Sequence, residues 1–456
     1  MTLPEKLRAL LGPEVVSGDP EVLAAHSGDK WFASKTPEAV VFAETVAQVS
    51  DLLKFANRER VAVTPRGSGF GYVGGCVPMR QGIVLSLARM NRIKEIHFAD
   101  GVAVVEPGVI TGNLQEKARS EGLFYPPDPA SLKDCSLGGN IATNAGGPRC
   151  LKYGVTRPYV LGLEVVLPTG EIIRAGGRTH KNKTGFDLIG LFTGSEGMLG
   201  VVTEAILRLL PLPPARATLS ASFATASDAA EAVQKIFHAG FLPSALEVAD
   251  SFTLQAARSH LGRGLVPDGQ AHLLIDLDGQ PGSVAGEREA LSKVLQQASA
   301  LEIQSALGEQ ECEKLWDLRR GFSFSLRATG LIKLNEDIVV PRGRLVDIFA
   351  FGEALQQKYG FPVACFGHAG DGNIHVNIMC PDYEKAEVQE RSERALDELF
   401  ETVLSWGGVI TGEHGIGLAK KRWWHDAVSP ATHNVHVALK RTLDPNGILN
   451  PGKFLE

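Results

Sequence analysis

No Cys-x-x-C pair occurs among the six cysteines, Cys76, Cys135, Cys150, Cys312, Cys365 and Cys380. That spacing argues against a zinc ribbon or an iron–sulfur cluster held within this chain, and scattered thiols fit a reduced compartment. Long apolar runs are missing too: no stretch of 18 apolar residues exists, so no membrane-spanning helix is expected. The opening MTLPEKLRALLG is charged and amphipathic and lacks the apolar centre of a signal peptide. The expected location is the cytoplasm, with any membrane association supplied by a partner. Blocks of like charge are also absent. A net charge of −6 gives no reason to expect nucleic acid. The charge-dense stretch 384–401 mixes both signs with Ala, Leu and Phe at helical spacing, which is the pattern of a solvated helix face.

What remains is the composition of a globular protein, 44% hydrophobic and 21% charged, spread over 456 residues. That length exceeds one hydrophobic core, so two domains are expected. The densest chemistry lies in CFGHAGDGNIHVNI (365–378), which reads as two short strands joined by a Gly/Asp/Asn turn. Strand alternation puts His375 and Asn377 on one face, while His368 sits where the first strand enters the turn. Both imidazoles can then share a pocket. Glu413 and His414 lie in GEHGIG (412–417), where glycines let backbone approach a ligand closely. Two neutral imidazoles and a carboxylate form a catalytic ligand set for Zn²⁺ or Mn²⁺ that leaves positions open for substrate. Taken singly, each histidine has the plainer reading of a satisfied or exposed side chain; together with Asn377, Glu413 and His414 they favour a site.

In chain order, residues 40–67 read as strand, helix, strand, with apolar spacing from Val46 to Phe55. PRGSGFGYVGG (65–75) follows, with five glycines. Gly69, Gly71 and Gly74 fit G-x-G-x-x-G, but Cys76, Val77 and Pro78 lead into another strand, whereas a dinucleotide fingerprint must open a helix. The loop can still cradle phosphate through its N–H groups. A strand at 102–109 and a helix from Thr111 to Glu121 come next, then YPPDPAS (125–131) without regular structure. SLGGNIATNAGG (136–147) is too polar for a core strand and too glycine-rich for a stable helix, so a loop is expected there. Two strands over 160–176 turn at Pro168-Thr169-Gly170. Pro211, Pro213 and Pro214 mark a boundary. Beyond it, longer alternating strands and helices run from 216 to 406 as a separate α+β domain, and the C-terminal stretch is helical with a Pro/Gly tail. Trp423 and Trp424, beside Lys420, Lys421 and Arg422, are expected to pack on the first domain.

These motifs together resemble those of the FAD-linked 2-hydroxy-acid dehydrogenases of the vanillyl-alcohol-oxidase-like, PCMH-type class, in the branch of D-lactate dehydrogenase, D-2-hydroxyglutarate dehydrogenase and the FAD subunit of glycolate oxidase. The resemblance spans nearly the whole chain. It implies an α+β, two-domain flavoprotein: an FAD-binding domain over 1–214, a cap or substrate domain over 215–410, and a segment 411–456 that returns to the FAD domain. In this class the first glycine loop holds the FAD pyrophosphate, which implies contacts from Pro65, Arg66, Gly67, Ser68, Gly69, Phe70, Gly71, Gly74 and Gly75. Pro127, Asp128 and Ser131, then Ser136, Gly138, Gly139, Asn140, Thr143, Asn144, Gly146 and Gly147, correspond to contacts with pyrophosphate and flavin, joined by Tyr153 and Gly154. The stretch Glu196, Gly197, Gly200, Val201 and Val202 corresponds to the adenine side, and Asn450 completes the set. Phe70, Tyr72 and Val73 stand where the class often has Thr, Leu and Ser, so backbone must serve there. Members that bond FAD covalently often carry a histidine in this loop; none lies between Gly67 and Gly75, which implies noncovalent FAD.

The class's metal ligands fall on His368, His375 and Glu413, its general base on His414, and its substrate-binding positions on Arg319 and Lys333, with Asn377 nearby. The implied reaction oxidises a small D-2-hydroxy acid to the 2-oxo acid. The divalent ion, Zn or Mn, lowers the hydroxyl pKa, His414 takes the proton, and FAD takes the hydride. A guanidinium fork at Arg319 and an ammonium at Lys333 favour an acid over a plain alcohol. With no cluster motif in the chain, electrons must leave to a partner: an iron–sulfur subunit, an electron-transferring flavoprotein or a quinone-linked acceptor. Rival readings are an O₂-using flavin oxidase of the same fold and a catalytically silent FAD-binding subunit. The oligomeric state stays open.

Overall fold

The computed structural model describes residues 1–455, which divide into two compact units: residues 1–146, 154–212 and 413–455 form the first, and residues 147–153 with 213–412 the second. Each is built around its own sheets.

The first unit opens with helix Leu3–Leu11, strand Val16–Ser17 and helix Pro20–Ala25 and continues as strand Ala39–Phe42, helix Val46–Glu59, strand Val63–Arg66. The helix starts cleanly because Thr45 and Gln48 satisfy each other's backbone N–H groups in a capping box, and it buries Val49, Leu52, Leu53 and Ala56. Strand Ile83–Ser86 pairs in parallel with both neighbouring strands, and the antiparallel Val16–Ser17 completes a four-stranded sheet. No helix intervenes between the glycine loop and Ile83, as the Cys-Val-Pro sequence there requires. A second, five-stranded antiparallel sheet runs in the order Ile93–His97, Val102–Val105, Val201–Arg208, Val160–Val166, Ile172–Gly176. The C-terminal segment belongs to this unit. Val63 donates its N–H to the Ile448 carbonyl (2.8 Å) and accepts from Asn450 N–H (2.8 Å), while Ile448 and Leu449 join the core around Val63.

One expectation fails here. Residues 136–147 contain a helix, Leu137–Thr143. Glycine weakens a helix by about 1 kcal/mol per residue, but tertiary context overrides that: Leu137 and Ile141, one turn apart, are fully buried, Ser136 Oγ accepts the Gly139 N–H, and Asn144 ends the helix at φ 52°.

The second unit carries a seven-stranded sheet, ordered Glu302–Leu307, Ala215–Phe223, Ala271–Gly279, Ala245–Ala249, Val363–His368, Asn373–Cys380, Ile332–Val339, with every neighbour antiparallel. Helices Ser251–Leu261 and Glu309–Ala328 share one apolar cluster with it, in which Leu254, Ala257, Leu318, Phe322 and Leu326 meet Ala249, Ala364, Phe366 and Met379. Among the described residues no helix is long and apolar enough to cross a membrane.

Candidate active site

The register of the second sheet decides which side chains share a face. Glu247 lies opposite His368, Phe366 opposite His375, and His375 opposite Asp337. With a period of two, one face therefore presents Glu247, then Phe366 and His368, then His375 and Asn377, then Lys333 and Asp337. The two imidazole rings lie 5.7 Å apart, centroid to centroid. This same face is the one packed by helix Glu309–Ala328, whose Arg319 and Ser323, one turn apart, reach it at two points. Arg319 Nε donates to Glu247 Oε2 (2.6 Å), and Lys333 Nζ donates to Ser323 Oγ (2.9 Å).

Glu247 is 1% exposed and its other oxygen meets His368 Nδ1 at 2.6 Å. Burial by itself would raise this carboxyl, but His368 and Arg319 outweigh burial and hold it below the ordinary range. Burial, reinforced by the charges of Arg327 and Arg319, pushes Lys333 down to about 8. The Arg319 guanidinium lies 5.0 Å over the Phe366 ring, which in turn lies 5.4 Å from His375. Asn377 is fully buried and spends its amide N–H₂ on the carbonyls of Ala364 and His375 (3.0 Å each).

The loop after the sheet is anchored from the same side. Gly412 donates its N–H to the Asp337 carboxylate and carbonyl, both at 3.0 Å, and Thr411 Oγ1 donates to the same carboxylate. Glu413 follows Gly412 directly. His368 and His375 each offer one ligand nitrogen on this face, beside the anchored Gly412. The Glu247 carboxylate occupies His368 Nδ1, so an ion held by this ring would be bound through Nε2. Two imidazoles and one carboxylate, one of the imidazoles backed by a second carboxylate, fit a divalent cation.

In the first unit, His414 lies against Tyr72, ring centroids 5.3 Å apart. The GEHGIG loop is held there by Glu196: Ile416 N–H donates to Oε1 (2.7 Å) and Gly417 N–H to Oε2 (2.8 Å). Burial outweighs these hydrogen bonds and raises the Glu196 carboxyl. Asn450 Nδ2 ties the same region together by donating to the carbonyls of Gly75 (3.0 Å) and Glu196 (2.8 Å). Glu196 and Asn450 are both left-handed, at φ 50° and 45°. The two glycine stretches meet closely. A Cβ on Gly67 would fall 2.3 Å from Ser136 Oγ, and one on Gly138 would fall 2.6 Å from Pro107 Cβ. Backbone thus comes nearer there than any side chain allows, as a cradle for a large flat cofactor requires. Pro65 and Arg66 end strand Val63–Arg66, and Gly67 through Gly75 form the loop. Pro127, Asp128 and Ser131 have no regular structure; Gly138, Gly139, Asn140 and Thr143 lie in the short helix, and Val201 and Val202 open their strand. Gly147 and Tyr153 belong to the second unit, where Tyr153 donates its hydroxyl to Asp278 (2.8 Å).

Residues 37–176 match the family model described as FAD binding domain, and residues 212–454 match the one described as FAD linked oxidases, C-terminal domain. The chain belongs to the FAD-linked oxidases. It is an FAD-linked oxidoreductase with a PCMH-like fold. Among its relatives is the glycolate oxidase subunit GlcD of Bacillus subtilis (strain 168), 40% identical over 92% of this chain and 89% of that one. D-2-hydroxyglutarate dehydrogenase of Stutzerimonas stutzeri (strain A1501) is 34% identical over 99% and 98%, and D-lactate dehydrogenase of Anaerostipes hadrus 33% over 99% and 96%. Among solved structures, p-cresol methylhydroxylase with substrate bound superposes with a TM-score of 0.81 at 21% identity, covering 99% of this chain and 96% of that one. That likeness concerns the fold alone.

Three carboxylates of this FAD-linked oxidoreductase escaped the sequence reading in whole or part. Glu247 and Asp337 were not singled out, and Glu196 was read through its backbone although its side chain holds the 416–417 turn. A signal existed for Glu247: an acid inside the apolar strand ALEVA, where an ionised group is rarely buried without a partner.

Proposed function

We propose that this protein is an FAD-dependent dehydrogenase that oxidises a small D-2-hydroxy acid, of the lactate, glycolate or 2-hydroxyglutarate type, to the 2-oxo acid. The observation that carries the reading is the sheet face on which His368 and His375, ring centroids 5.7 Å apart, stand with Lys333 and with Glu247, the partner of Arg319; Glu413, which follows the anchored Gly412, completes the ligand set. Relatives named for D-lactate and D-2-hydroxyglutarate support the class and configuration of the substrate. When bound, a divalent ion such as Zn²⁺ or Mn²⁺ supplies Lewis acidity that makes an alcohol proton easier to remove. FAD supplies the hydride acceptor.

The chain's own residues do the rest. Arg319 keeps its terminal nitrogens for a carboxylate, since Nε is spent on Glu247. Lys333 adds a second cation, and His414 receives the hydroxyl proton as general base. Residues 1–214 hold FAD, noncovalently because no histidine lies in 67–75; residues 215–410 present the substrate side chains; and 411–456 return to the FAD domain. Electrons then pass to a partner, an iron–sulfur subunit, an electron-transferring flavoprotein or a quinone-linked acceptor. All six cysteines are unbridged, which supports a cytoplasmic location.

The test is anaerobic. Purified protein is mixed with D- and L-2-hydroxy acids, with and without prior chelation, and flavin absorbance is followed. Bleaching by a D-acid, abolished by chelation and restored by Zn²⁺ or Mn²⁺, is expected. Bleaching by none of the acids, or bleaching indifferent to complete metal removal, overturns the reading; rapid peroxide formation in air would make the protein an oxidase instead.

A further inference from the structure

We infer that Glu247 is a positioning residue serving two functions at once: it fixes the tautomer of a metal-binding histidine and aims the substrate-binding arginine. The inference rests on the reading of His368 as a metal ligand and of Arg319 as a carboxylate clamp.

Glu247 sits in the centre of strand Ala245–Ala249, every residue of which is buried. A carboxylate in such a strand must be fully partnered, and it is: Oε1 meets His368 Nδ1 at 2.6 Å and Oε2 accepts from Arg319 Nε at 2.6 Å. The cluster is nearly dry, with side-chain exposures of 1% for Glu247, 6% for His368 and 13% for Arg319. An ionised carboxylate only accepts hydrogen bonds. His368 must therefore carry a proton on Nδ1; in the neutral ring this puts the lone pair on Nε2, the atom that would bind an ion, and makes the ring a more basic ligand. Arg319 must likewise point its Nε–H inward, which turns the edge formed by its two terminal nitrogens away from Glu247. The hairpin sets His368 and the helix Glu309–Ala328 sets Arg319; Glu247 is the group bonded to both. Its strand neighbours Ala245 and Ala249 are too small to compensate for its loss.

Glu247→Gln separates this role from mere filling of space. A carboxamide has one acceptor and one donor end, so it satisfies one partner only. If its oxygen faces Arg319, its N–H₂ points at His368 Nδ1 and drives the ring proton to Nε2, which blocks the ligand position. If it faces His368, Arg319 is left opposite a donor.

The experiment compares FAD-loaded wild type, Glu247→Gln and Glu247→Asp, using Zn²⁺ alone in competition with a chelator and visible absorbance for flavin content. Glu247→Gln is expected to bind Zn²⁺ about 10- to 100-fold more weakly with unchanged flavin content, and to raise KM for the hydroxy acid by about tenfold. Glu247→Asp, which keeps the charge, is expected to bind Zn²⁺ more tightly than Glu247→Gln. Zn²⁺ affinity of Glu247→Gln within threefold of wild type, or no advantage of Asp over Gln, overturns the inference. Should Glu247→Gln not fold, ¹⁵N spectra of ring-labelled, metal-free wild type decide: His368, assigned by its loss in His368→Ala, is expected to be protonated on Nδ1, and protonation on Nε2 alone overturns the inference. A wild type that binds no Zn²⁺ or Mn²⁺ overturns both this and the metal-assisted reading beneath it, whereas Zn²⁺ binding insensitive to Glu247 defeats only the present step.

Discussion

The first unit prepares its candidate site mostly with main chain, the second mostly with side chains. Around residues 65–75 and 136–147 the significant positions are glycines, and the charged residues there, such as Glu196, act by holding backbone N–H groups. On the second unit's sheet, the significant positions are buried side chains spaced by two along strands, Phe366 and His368, His375 and Asn377, three of the four polar. The difference teaches where each unit is vulnerable. Atoms added to the first should do the harm; atoms removed from the second should.

A loss of the cofactor itself tests the first half. Gly67 lies outside the left-handed region, so Gly67→Ala strains nothing in the backbone and acts only through the 2.3 Å clash with Ser136 Oγ. FAD affinity is expected to fall by about 5- to 150-fold, since overpacking of this kind costs about 1–3 kcal/mol, while Zn²⁺ binding is unaffected. Adding Ser136→Ala removes the opposing oxygen and is expected to recover part of the affinity. Unchanged FAD affinity in Gly67→Ala would break the comparison at its root.

The next effect distinguishes two adjacent residues. Glu413→Ala removes a hard anionic donor, so metal is expected to be lost first and activity partly restored by excess Zn²⁺ or Mn²⁺. His414→Ala is expected to keep both metal and FAD and to slow anaerobic flavin reduction by about 10²- to 10⁴-fold, the usual contribution of a general base. Loss of metal from His414→Ala with retention in Glu413→Ala reverses the two roles. Normal reduction by both makes GEHGIG a structural loop.

Much of the second unit was legible from the sequence because amphipathic period decides it: strands and helices from 215 to 405 follow the apolar spacing, and His375 and Asn377 share a face by alternation alone. The helix Leu137–Thr143 was not legible, because its stability comes from burial of Leu137 and Ile141 and from the Ser136 cap, against the local preference of its glycines. Glu247 was hidden for a different reason. Its partners are 72 and 121 residues away in sequence, and no local pattern brings Arg319 and His368 to the same strand. Only sheet order does that, through the antiparallel pairing of Ala245–Ala249 with Val363–His368.

The smallest effect is confined to the side-chain unit and therefore sharpens the comparison. Lys333 is half-buried against helix Glu309–Ala328, with Ser323 Oγ as its hydrogen-bond acceptor and Arg319 and Arg327 as the nearby like charges, and burial with those charges brings it down to about 8. A lowered lysine pKa means that the cation is lost as pH rises through about 8, not as it falls. At pH 7 roughly nine-tenths of the molecules carry the ammonium and at pH 9 roughly one-tenth do. If that cation helps to bind the substrate carboxylate, KM is expected to rise between these pH values by no more than about tenfold. Lys333→Arg keeps a charge that cannot be titrated away in this range, so its KM profile is expected to be flat over the same interval, whatever its absolute value. FAD affinity, resting on backbone in the other unit, is expected to be indifferent to the substitution. A KM that climbs equally in wild type and Lys333→Arg assigns the titration to another group and removes Lys333 from the substrate site.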